Sequence, residues 1–175
     1  MAALGALIGV GSAYVIFTHT DIIKTITGGM FIPFYPDAFF ASVDWTHPIE
    51  LILVHESLHF NATDGIYGRR LEEGVTEAAA RLLVVRFGML DADALKRLDA
   101  YPEERKAVER VLTGIMERTS RDHEYALEML LAGYLSGQQA ELNTVFGAGT
   151  WQEVLKLSHS RGTWQAHRVA KILGD

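Results

Sequence analysis

Cysteine is absent from this chain of 175 residues. That excludes disulfides, thiolate metal ligands and a cysteine nucleophile together, so any metal must be held by histidine and carboxylate. Positive charge is in short supply as well: 16 Lys and Arg stand against 22 Asp and Glu, a formal net charge of −6. Affinity for a polyanion rests on neutralising phosphates with Lys and Arg, so nucleic acid is not an expected partner. Internal repeats, low-complexity tracts and linkers are also missing, which leaves one domain over residues 1–175. Finally, Met1–Thr20 carries no Lys, Arg, Asp or Glu. It has no positively charged start and contains Gly5, Gly9 and Gly11, so it reads as a helix or loop leading into a buried strand, with a membrane anchor as the lesser alternative. A soluble chain is favoured, cytoplasmic rather than secreted, and no membrane partner is expected.

What is present is a globular composition, 49% hydrophobic and 22% charged, enough to build one core. The β-branched and aromatic run "AYVIFTHT" reads as a core strand. "MFIPFYPDAFF" carries Pro33 and Pro36 and is confined to an edge or irregular strand, because proline cannot donate to a ladder. Beyond residue 45 the pattern turns helical. In "THPIELILVHESLHF", Pro48 and Glu50 are helix-start signals. A loop from Asn61 to Arg70 with Gly65 and Gly68 follows, and "LEEGVTEAAARLLVVRF" has apolar residues at helical spacing up to Gly88. Asp91 caps a short helix, and further helices are expected near 102–118, 122–136, 137–146, 150–158 and 162–173. The fold class expected is α+β, with a small N-terminal antiparallel sheet and a mostly helical carboxyl-terminal half.

Three ionisable residues interrupt the apolar run "LILVHESLHF": His55, Glu56 and His59. On a helix His55 and His59 share a face, with about 5–6 Å between Cβ atoms, so both imidazoles can meet one ion. Glu56 stands about 100° round the helix, beside such an ion and suited to act on a water there. Burying these groups without partners would cost several kcal/mol, and a cation removes most of that cost. The spacing is the H-E-x-x-H arrangement of zinc peptidases.

A catalytic zinc needs a third protein ligand. The loop after Asn61 can fold the chain back so that "LEEGVTE" faces the histidine pair. Glu73 and Glu77 share a helical face, where like charges repel unless a cation stands before them. Glu73 is read as the third metal ligand and Glu77 as the carboxylate that orients a ligating histidine, with the exchanged assignment left open. The ligand set of two imidazoles and a carboxylate suits Zn2+, and manganese, cobalt or nickel could occupy the same position.

"HESLH", twelve residues and then "EEGVTE" resembles the gluzincin family of metallopeptidases, over about residues 30–88. The resemblance implies a zincin-like fold with an edge strand above the cleft, zinc-dependent hydrolysis of peptide or protein substrates, and Glu56 as the general base. It also implies a donor for the oxyanion. Tyr67, in "YGRRLEEG", resembles the tyrosine-before-glutamate arrangement of the anthrax lethal factor class, with one residue fewer in between. Tyr101 in "DAYPEE" is an equal candidate, and His123 a third. Arg69 is a weaker candidate for holding a substrate carboxylate. A catalytically inactive zincin-fold binding or regulatory module remains as the alternative function. Trp151 and Trp164 read as packing for the last two helices.

Overall fold

The computed structural model describes residues 48–63, 65–98, 100–160 and 165–174. Eight helices account for most of them: α1 Ile49–Asn61, α2 Arg69–Arg86, α3 Ala92–Lys96, α4 Pro102–Thr119, α5 His123–Ser136, α6 Ala140–Phe146, α7 Ala148–His159 and α8 Ala166–Leu173. Local chemistry sets their ends. Pro102 opens α4 with Glu103 and Glu104 in its first turn, where the fixed φ and the acidic side chains suit a helix start. The Asp122 side chain accepts from Tyr125 N–H to cap α5, and Gly137 ends that helix at φ 74°, a left-handed conformation that costs glycine little.

The fold class differs from the sequence expectation. The described residues are 78% helical, contain no strand and form an all-α body rather than an α+β domain with an antiparallel sheet. The physical reason lies in α2, which buries apolar side chains on both flanks against other helices. On one flank Leu71 and Val75 join a core with Val108, Val111, Leu112, Leu130, Trp151 and Val154 from α4, α5 and α7. On the other, Ala80 and Val84 meet Leu51 of α1 and Leu95 of α3. Among the described residues, helices alone therefore cover the helix that carries the glutamates. The two stretches read as strands, "AYVIFTHT" and "MFIPFYPDAFF", and the cleft edge strand drawn from the second, lie outside the described residues, as does Trp164.

Gly74 shows how tightly α2 is held. A Cβ there would lie 2.6 Å from Val108 Cγ2 and 2.7 Å from the Glu104 carbonyl oxygen, closer than side chains pack. The glycine after Glu73 thus lets α4 press against α2 one residue from a predicted ligand. The start of α2 is pinned from the opposite direction, because Ser158 Oγ of α7 accepts from Leu71 N–H at 2.8 Å and donates to the Gly68 carbonyl at 3.0 Å. That satisfies one of the backbone donors a helix start leaves without a partner. No helix among the described residues is long and apolar enough to cross a membrane.

Candidate metal centre

Helix α1 brings His55, Glu56 and His59 to the side facing α2, which presents Glu73 and Glu77; all but His59 are buried, and His59 is mostly so. Three nitrogen and oxygen atoms converge. His55 Nε2 lies 3.1 Å from His59 Nε2 and 3.4 Å from Glu73 Oε2, and His59 Nε2 lies 3.3 Å from the same oxygen. A tetrahedral ion with bonds of about 2.0–2.1 Å sets its ligand atoms about 3.3–3.4 Å apart, so the triangle has the edge length such an ion requires. The donor set fits too. Shared protons can serve only some of three mutually facing acceptors, whereas one cation satisfies all of them. Among the described residues these three form a group able to hold a metal ion.

Behind each imidazole stands a second partner. His55 Nδ1 lies 3.1 Å from Glu77 Oε2, and Glu77 Oε1 accepts from Arg81 Nε at 2.6 Å. Arg81 Nη1 and Nη2 donate to the carbonyls of Leu95 and Leu98, at 2.9 and 3.0 Å, which ties this chain of contacts to α3 and the turn after it. Glu73 thus stands with the two Nε2 atoms in the group that could hold an ion, and Glu77 stands behind His55 on its other nitrogen. His59 Nδ1 lies 2.7 Å from the hydroxyl of Tyr134, a residue of α5 that sequence reasoning did not identify. It stands 75 positions from His59 in a helix of otherwise ordinary core composition, so no local spacing points to it.

The charges follow from this enclosure. Burial lowers the basicity of His55, but hydrogen bonds to Glu73 and Glu77 and the fields of Glu56 and Glu73 outweigh it and push the group up to about 9. Burial raises the Glu73 carboxyl, and its bonds with His55 and His59 more than reverse that, holding it well below the usual carboxylate range. His59 is lowered, chiefly by burial, with Glu73 only partly opposing. Glu56 goes the other way. Burial pushes its carboxyl up to about 7, with His55 opposing and Glu73 reinforcing.

The remaining candidates separate clearly. Tyr101 stacks on His55, with ring centroids 5.5 Å apart and planes at 11°, and its phenol is raised by burial and then by the Glu73 carboxylate it faces. It has φ 50° and ψ 48°, although a residue before proline favours extended backbone. Such backbone strain persists where the surroundings hold a side chain in place. Tyr67 is a core residue instead of an oxyanion donor: it is fully buried, its hydroxyl donates to the Leu130 carbonyl at 2.8 Å, and its ring stacks on Tyr134 at 5.6 Å. Arg69 is 75% exposed, with Nε 3.8 Å from Glu73 Oε1, a mobile-length cation beside the centre. His123 pairs with Glu109 at the surface at 3.1 Å, and Trp151 is buried with its indole N–H on Gln139 Oε1 at 2.7 Å.

No protein-family model, curated protein or solved structure matches this chain.

Proposed function

We propose that this chain is a zinc-dependent peptide-bond hydrolase. The observation that carries the reading is the triangle of 3.1, 3.3 and 3.4 Å formed by His55, His59 and Glu73, with the carboxyl of Glu56 buried beside it. His55, His59 and Glu73 would hold the ion, which when bound supplies a Lewis acid for the scissile carbonyl and makes a neighbouring water more acidic. A binding module of the same shape has no use for a buried carboxyl at Glu56, whereas hydrolysis does.

Glu56 has the right poise for that task. With its carboxyl near 7 it is ionised often enough at neutral pH to take a proton from water, and basic enough to keep it until the amine leaves. Glu77, neutralised by Arg81, holds the His55 ring in place through Nδ1. Tyr101, a neutral phenol stacked on His55, is the donor available for the oxyanion, and Arg69 offers a cation to a carboxylate of the peptide. The test is turnover of a quenched-fluorescence peptide library by the zinc-loaded protein and by Glu56→Gln. Cleavage by the wild type that falls by at least about a hundredfold in the variant supports the reading, in line with the usual weight of a general base. Equal cleavage by both proteins would remove Glu56 from the reaction and the peptidase reading with it.

A further inference from the structure

The two predicted ligands are backed differently, and the difference leaves a hydrogen-bond account that does not close. His55 faces a carboxylate, whereas His59 faces the hydroxyl of Tyr134 at 2.7 Å. On the neighbouring α2 two oxygens are buried without a hydrogen-bond partner of good geometry, Thr76 Oγ1 and Glu72 Oε1. Thr76 is fully buried and lies against Tyr134, and Glu72 sits one helical turn earlier on the same face of α2. Buried polar atoms are rarely left in this state, and each such orphan calls for an explanation.

We propose that Tyr134 is a positioning residue for His59, and that ligation at His59 Nε2 turns the hydrogen bond around, sending the Tyr134 proton to Thr76 and that of Thr76 to Glu72. This rests on the metal-site reading given above and not on peptide hydrolysis. The argument is one of proton counting. A neutral imidazole carries a single N–H, and a ligating Nε2 fixes that hydrogen on Nδ1. Nδ1–H must then donate, so the Tyr134 oxygen accepts and its own hydrogen needs a new acceptor. Thr76 Oγ1 is the orphan that lies against Tyr134, and a turn of its hydroxyl would send its hydrogen on toward Glu72, one helical turn away. Both histidines are then backed by a glutamate, His55 directly and His59 through two hydroxyls. A partner on the outer nitrogen of a ligating histidine fixes its tautomer and ring orientation.

The surroundings of Tyr134 are built to hold it still. Its carbonyl accepts from Thr63 N–H at 3.3 Å, and the next carbonyl, of Leu135, accepts from Thr63 Oγ1 at 3.1 Å. The loop joining the two ligand-bearing helices is thereby fastened to α5. Tyr67 stacks on its ring, and Gly133 makes room, since a methyl group there would clash with the Tyr67 hydroxyl.

Zinc affinity, measured by competition with a chromophoric chelator, tests this in the wild type, Tyr134→Phe, Thr76→Val and the double variant, together with the visible absorption of the Co2+ forms. Tyr134→Phe is expected to weaken zinc by about 10- to 100-fold and to change the Co2+ spectrum, because the His59 ring is freed. Thr76→Val is expected to weaken zinc by less, and the double variant no more than Tyr134→Phe alone, since both act through one relay. Wild-type affinity and spectrum in Tyr134→Phe would overturn the inference and leave the metal centre standing. If Tyr134→Phe fails to fold, Thr76→Val decides, and wild-type affinity there overturns the relay. A wild type that takes up neither metal would overturn the centre and this inference together.

Discussion

Between Glu73 and Glu77 the His55 imidazole is pushed up to about 9, so in the metal-free protein it carries a proton at neutral pH. Metal uptake must expel that proton, because only the neutral ring can ligate. Zinc binding at pH 7.5 is therefore expected to release close to one proton, and affinity to rise about tenfold per pH unit until about 9. Calorimetric titrations in buffers of different ionisation enthalpy would measure this, and an enthalpy independent of buffer would contradict it. Tyr101 carries a second prediction at this scale. If it donates to the oxyanion, Tyr101→Phe should lower kcat by about 10²- to 10³-fold with little change in KM, and an unchanged kcat would leave it only a stacking role. The grouping was legible because His55 and His59, and Glu73 and Glu77, stand four apart in pairs, so local helical geometry alone aligns each pair. Tyr134 and the core position of Tyr67 depend on contacts with α5 that no local pattern carries.

At the scale of elements, the centre depends on α2 being held in one position along its axis. Gly74 is the tightest point of that clamp. Gly74→Ala would place its methyl against Glu104 backbone as well as the Val108 side chain, and backbone cannot swing aside. A loss of about 1–3 kcal/mol follows for such overpacking, seen as a lower melting temperature, and zinc affinity should fall with it because Glu73 is the adjacent residue. An unchanged melting temperature would show that α2 and α4 can separate freely. At this scale too the helices were largely legible. The expected helix after Asp91 and those near 102–118 and 122–136 correspond to α3, α4 and α5, since proline, aspartate and glycine mark their ends by local chemistry. The reason for the glycine in "EEGVTE" was not legible, because it lies on the face of another helix.

For the whole molecule, the buried cluster ties stability to pH and to metal. A group raised in the folded state contributes stability that is complete below its unfolded value and lost as pH rises through the folded one. For His55 that window runs from 6.5 to about 9, and for Glu56 from 4.5 to about 7. Glu73 and Glu77 are lowered, so their contribution is present above 4.5 and fades as pH falls. The metal-free protein should therefore lose melting temperature between pH 6.5 and 9, and the zinc-loaded protein should not, because its histidines are already neutral. Parallel melting curves across that range would contradict the link. The fold class was the part least legible in the sequence. The aromatic and β-branched runs before Pro48 that suggested a sheet lie outside the described residues, and within them α2 buries its flanks against α1, α3, α4, α5 and α7, long-range packing that no local pattern carries.

The most direct measurement is zinc content of the purified protein by plasma mass spectrometry, for the wild type beside His59→Ala and Glu56→Gln. A centre built on His55, His59 and Glu73 predicts near-stoichiometric zinc in the wild type and in Glu56→Gln, and its loss in His59→Ala. A wild type that holds no metal even when zinc is supplied, or a His59→Ala variant that keeps it, would contradict the account.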